Sequence, residues 1–161
     1  MSEVTIEVFA NPHKRKRNDN WCCRVVQDGE ALFLSDWVAL RLETVQAATW
    51  LAELVKRSIE HEFFLPAPGH RSADESPYHW KGDMRDDCYT NFEGLNAHAE
   101  WVDGPYQGGN WYCQVMSKQK SHFHTADMRM TPGSGSAARW TCEMVISAAV
   151  ANVLPLFEWQ D

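Results

Sequence analysis

Asn20-Trp21-Cys22-Cys23-Arg24-Val25-Val26 and, 90 residues further on, Asn110-Trp111-Tyr112-Cys113-Gln114-Val115-Met116 are the two stretches on which the fold turns. Aligned, they share the Asn-Trp pair, a Cys and a Val. The register holds without a gap over 20–66 against 110–156. Phe33 falls on Phe123, Ala47-Ala48 on Ala137-Ala138, Trp50 on Trp140, Glu53 on Glu143 and Val55 on Val145. Ten identities fall in 47 positions, where unrelated chains give about 3, and a fixed-period self-similarity of this kind is the signature of an internal duplication.

Each copy carries the same local signals. Trp21, Cys23 and Val25 alternate with Cys22, Arg24 and Val26, and Trp111, Cys113 and Val115 do the same, so each stretch reads as a strand with one apolar face. A further strand follows, with Val38, Leu40 and Leu42 in the first copy and Met128 and Met130 in the second. Val4 to Phe9 precedes the first Trp-led strand, and Ala97 to Val102 is its weaker counterpart. Then each copy turns helical. Thr44 stands as an N-cap ahead of the stripe Ala48, Leu51, Ala52, Val55, Ile59 and Phe63, spaced to form one buried face. In the second copy Ser134, within Gly133-Ser134-Gly135-Ser136, opens a helix that Pro155 closes.

The expected fold is therefore α+β: a tandem duplication of a β-β-β-α unit, with an antiparallel sheet, two helices on one face and pseudo-twofold symmetry. The repeats span 1–66 and 94–161, joined by an acidic and aromatic linker loop over 67–93, in one compact domain. A β-β-β-α unit of fewer than ~70 residues is marginal alone, so the two share a core. Met144 to Ala151 carries no charge on any side. That predicts either central burial of the second helix or a homodimer through helix 137–154.

The order of a Trp-led strand, a second strand and Thr44-x-x-x-Ala48-x-Trp50-Leu51-Ala52 opening a helix resembles small sheet-plus-helix modules over Trp21 to Val55. The arm-type DNA-binding domains of phage integrases are one such family. The resemblance implies a three-stranded sheet backed by one helix. Those domains are basic over the sheet, whereas this chain is acidic.

With 44% hydrophobic and 23% charged residues in 161, the composition is that of an ordinary globular protein. No apolar run approaches the ~20 residues of a bilayer span. The segment Met1-Ser2-Glu3-Val4 has no basic or apolar leader character, and five cysteines is an odd number. Both lead to the expectation of a cytoplasmic protein with reduced thiols and no membrane partner. The net charge of −7 is concentrated between 67 and 109, where three cations face eight carboxylates. This weakens non-specific attraction to phosphate backbones.

Four features bear on function. The linker sets Asp74, Glu75, Asp83, Asp86 and Asp87 among Tyr78, Trp80 and Tyr89. Aromatic anchors among carboxylates are the makings of a protein-binding surface. Lys14-Arg15-Lys16-Arg17, with Arg24 and Arg41, offers cations to a nucleic acid. His122 and His124, two residues apart on a strand, are the start of a metal site without a complete ligand set. Finally, no nucleophile elbow, phosphate-cradling loop, Cys-x-x-Cys or His-Glu-x-x-His occurs.

These lead first to a non-enzymatic protein-binding module without cofactor. It would be a small acidic regulator or inhibitor that occludes a partner surface, and its size and composition are those of anti-defence or immunity proteins carried by mobile elements. A nucleic-acid-binding module using the basic hairpin 14–17 is the second expectation, and a metal-dependent enzyme the third.

Overall fold

The structure, a computed structural model, describes residues 3–13, 19–68, 78–104, 108–118 and 120–157. Four strands come first: β1 (Thr5–Ala10), β2 (Trp21–Gln27), β3 (Glu30–Leu34) and, after a 3-10 turn at Ser35–Trp37, β4 (Leu40–Leu42). Helix α1 (Val45–Glu60) follows. Then come β5 (Lys81–Asp83), β6 (Asp87–Phe92), β7 (Leu95–Gly104), β8 (Gly108–Met116), β9 (Ser121–His124), β10 (Met130–Pro132) and α2 (Gly135–Val150).

The class is α+β, with two antiparallel five-stranded sheets where a single sheet was expected. One runs β1-β2-β4-β10 with β3 also on β2, and the other runs β5 to β9 in order. Each half also has four strands before its helix, not three. The additional first-half strand, β3, follows a two-residue turn in which Asp28 and Gly29 both have positive φ, 57° and 77°. That backbone twist matches the twist of a hairpin. β4 and β10 pair with each other, Leu40 on Pro132, Arg41 on Thr131 and Leu42 on Met130. The first sheet closes at Trp21, which pairs with Leu42. The position aligned with Leu42 is Pro132. No rung joins β8 to β10 among the described residues, and the sheets stay separate.

The linker span 67–93 contributes β5 and β6, which extend the second sheet: Asp87 to Phe92 pair with Glu100 to Leu95 of β7. Cys88 and Thr90 point inward and are buried, while Asp87, Tyr89 and Asn91 point out. The Glu93-Gly94 turn, with φ of 48° and 81°, joins β6 to β7.

The helices pack α1 on β1 and β2, α2 on β7 and β8, and against each other. Both are capped alike: the Thr44 hydroxyl accepts from the Ala47 N–H and the Ser134 hydroxyl from the Ala137 N–H, each at 3.1 Å. The contacts between the halves are reciprocal. Trp50 stacks on Phe123 with centroids 5.3 Å apart, and Trp140 stacks on Phe33 at 5.7 Å. The Trp50 indole donates to the Pro155 carbonyl and the Trp140 indole to the Leu65 carbonyl, both at 3.0 Å. The N–H of Glu43 donates to Arg129, and that of Gly133 to Ala39. The four stacked rings belong to one continuous core.

Helix α2 is buried within its own chain. Trp140, Thr141, Cys142, Met144, Val145, Ile146 and Ala148 are 0% exposed. The face that was expected either at the centre of the core or in a homodimer is thus covered intramolecularly, partly by the 78–92 segment. Only Val150, at its end, is an exposed large apolar residue of this helix.

Candidate functional site

The segment from Tyr78 to Val102 forms a folded edge on the second sheet. Its first turn is tight: Gly82 has φ of 93°, and a Cβ there would lie 2.5 Å from the Asp87 carbonyl oxygen, so a side chain cannot be accommodated without backbone movement. The Asp83 carboxylate receives the Arg85 backbone N–H at 2.9 Å and its guanidinium at 2.9 and 3.0 Å. These bonds hold the Asp83 carboxyl down to about 2. They also fix the turn that carries Asp86.

The expected binding residues divide by burial. Tyr78 is buried, with its hydroxyl 2.5 Å from Ser147 Oγ and its ring edge-on to Phe92 at 5.1 Å. Burial pushes its phenol pKa up. The Trp80 indole donates to Glu143 Oε2 at 3.1 Å, and Glu143 is only 1% exposed. These two aromatics hold the segment to α2. Asp74 and Glu75 lie outside the described residues.

Asp86, Asp87 and Tyr89 are exposed, and the strand pairing gives them neighbours that sequence reading did not single out. Asp87 pairs with Glu100 and Tyr89 with His98. His98 Nε2 lies 2.6 Å from Asp87 Oδ1. The Trp101 N–H donates to the Asp86 carbonyl at 2.7 Å, which sets Trp101 and Val102 beside the acidic turn. Tyr89, Trp101 and Val102 remain 46%, 41% and 42% exposed. The sequence signal was Val102, an apolar residue at a position where the alternation of β7, Asn96, His98, Glu100, calls for a polar one.

The basic residues do not gather on one described surface. Lys14 to Arg17 lie outside the described residues. Arg24 is ion-paired with Glu7 and lies over the Phe9 ring, 5.0 Å from its centroid. Arg41 is half-buried, donating to Asn110 Oδ1 at 3.0 Å, and its Nε is buried without a partner.

The two histidines have separate surroundings. His122 takes the place of Leu32 and lines a cavity of about 410 Å³ with Trp50, Met128 and Leu154. Burial there, followed by the nearby Lys120, lowers its pKa. His124 pairs with Gln114 across the sheet, and its Nδ1 lies 4.0 Å from Asp127. Among the described residues no three His, Cys, Asp or Glu side chains are grouped to hold a metal ion.

All five cysteines are buried and unpaired. Burial pushes Cys23 up to about 12 and raises Cys22, Cys88 and Cys142. These four remain neutral thiols at pH 7, poor nucleophiles.

No helix among the described residues is long and apolar enough to cross a membrane. No family model, no curated protein and no solved structure matches the chain.

Proposed function

We propose that this chain is a non-enzymatic protein-binding module, a small acidic cytoplasmic regulator or inhibitor that occludes a basic surface of a partner protein. The observation that carries this reading is the exposed outer face of the second sheet, on which Tyr89 and Val102 stand with Asp87, His98 and Glu100, next to Asp86 at the turn. Exposed aromatics are the residues most often found to dominate binding energy, and surrounding carboxylates select a cationic partner and speed its approach. Tyr89 also sits on a paired strand, so little ordering entropy is lost on binding.

The scaffold beneath the patch is, in the same reading, a tandem duplication with pseudo-twofold symmetry about Arg41 and Thr131. Support comes from the gapless 90-residue register and from the reciprocal Trp-on-Phe stacks and indole-to-carbonyl bonds.

The test is capture of partners from native lysate after nuclease treatment, in ~0.3 M salt where exposed charge contacts alone are screened. The same capture is run with the Tyr89→Ala/Val102→Ala double variant. A stoichiometric protein retained by the native chain, and bound at least about 30-fold more weakly by the variant, is expected, since one hot-spot residue is worth about 2 kcal/mol or more. A partner retained equally by the variant overturns the assignment of the patch. Material that disappears with nuclease favours the basic hairpin and nucleic acid.

A further inference from the structure

We propose that the first half of the chain docks an extended, acidic and aromatic segment of a partner protein, which adds a strand to the open edge of β1 and lays side chains along α1. This inference rests on the duplication reading above.

Two surfaces carry it. In the second half the outer edge of β7 is paired by β6. Its counterpart in the first half is β1, and among the described residues no strand pairs with the outer edge of β1. In the second half, one flank of α2 is also covered by this segment. Arg139 donates to the Met84 carbonyl at 3.1 Å, Glu143 accepts from Trp80, and Ser147 meets Tyr78. Shifted back by 90, those helix positions are Thr49, Glu53 and Arg57. All three line a groove of about 670 Å³ on α1, with Trp50 and Pro155 on its wall. One continuous segment, 78–92, thus covers both surfaces in the second half, and the equivalent pair in the first half is an edge and a groove.

The occupant's chemistry follows from the template and from where the two helices differ. Glu53 keeps the place of Glu143, so an indole N–H or similar donor suits it, as Trp80 does on α2. Arg57 replaces Ser147 and Lys56 replaces Ile146. Arg57, at the place where the template meets a hydroxyl, donates to the Val153 carbonyl at 2.9 Å and lies 3.9 Å from Glu53, and the remaining N–H groups of its part-exposed guanidinium suit a carboxylate of the occupant. The strand portion needs small or apolar residues alternating with polar ones, as Cys88 and Thr90 alternate with Asp87 and Tyr89. β-Augmentation supplies main-chain bonds, and the groove supplies selectivity.

The experiment adds to the full chain a synthetic peptide of residues 78–92, with Cys88→Ser to prevent oxidation, and a second peptide in which Tyr78→Glu provides the carboxylate for Arg57. Amide hydrogen exchange locates the site. Slowed exchange in Thr5–Ala10 and along α1 is expected, with saturation below about 1 mM. The Glu-bearing peptide should bind about tenfold more tightly, a preference lost in the Arg57→Ser chain, since its carboxylate gains a charge-assisted bond. Slowed or accelerated exchange confined to β7 and α2 would mean that the peptide exchanges with its own copy, and overturns the proposal. So does binding that requires Trp159→Ala, which would assign the groove to residues 158–161, and so does absence of binding at 1 mM. The Tyr89/Val102 patch is on the other half, so either outcome leaves its own test intact.

Discussion

Helices α1 and α2 are the same length, 16 residues, and start from the same kind of hydroxyl cap. Each is followed by a positive-φ residue at the same offset, Glu62 at 62° and Asn152 at 60°. Yet α1 is amphipathic, with Glu53, Lys56, Arg57 and Glu60 in two i,i+4 pairs along one side, whereas α2 is apolar nearly all round. What differs is what lies outside them. α2 has Tyr78, Trp80 and the Met84 carbonyl of the β5-β6 turn against its outer flank, and the aligned positions differ accordingly, with Ile146 where α1 has Lys56 and Ser147 where it has Arg57. A helix that is apolar all round reports a second covering layer, and here that layer comes from the same chain rather than from another copy.

The sharpest way to break this comparison is to exchange the two positions. Ile146→Lys would bury an unpaired charge and is expected to cost about 3–5 kcal/mol, read as a lowered urea midpoint. Lys56→Ile, on the solvent side of α1, should change stability by less than about 0.5 kcal/mol. Equal effects would mean that the hairpin does not seal α2. The reciprocal stacks offer the next test. Trp140→Ala and Trp50→Ala remove almost fully buried rings and should each cost about 3–5 kcal/mol. Their costs should agree within about 1 kcal/mol if the halves are equivalent, and a much larger gap would count against pseudo-symmetry.

Trp80→Phe keeps the ring packing and removes one donor from buried Glu143. The expected loss is about 1–3 kcal/mol, with faster amide exchange in β5 and β6. The caps come next: Thr44→Ala and Ser134→Ala should each cost about 1 kcal/mol in thermal melts, with neither helix more sensitive than the other.

The smallest effect is one of pH. Burial lowers the His122 pKa in the folded chain, so the unfolded chain binds protons more readily there. Its contribution to stability is full above about pH 6.5, the unfolded value, and declines as pH falls below it. His122→Leu, which copies Leu32, should flatten that part of the stability profile between pH 7 and 5. An unchanged slope would mean that His122 is solvated in the folded protein.

Much of the fold could be read from local pattern. Alternation in Trp21–Val26 and Trp111–Met116 located β2 and β8, and the caps at Thr44 and Ser134 located the helix starts. The hairpin signals at Asp28-Gly29 and Glu93-Gly94 were present too, but β3 and β6 are short and face solvent on one side, so hydrophobic pattern alone did not mark them. Of the candidate binding residues, Asp86, Asp87 and Tyr89 are exposed as expected. Tyr78 and Trp80 are instead structural anchors, because their partners Ser147 and Glu143 lie far along the chain. Val102 entered the patch only through strand pairing, which sets it on the outer face with His98 and Glu100.

Taken alone, the order of residues determined the Trp-led strands β2 and β8 and where the two helices begin, since period and capping are local properties. Which edge and which helix flank the segment 78–92 covers was decided only by tertiary structure. So was the division into two sheets, in which Leu42 pairs with Trp21 while β10 makes no rung with β8 among the described residues. Both depend on contacts between residues distant in sequence, whose stability comes from surfaces that exist only once the chain is folded.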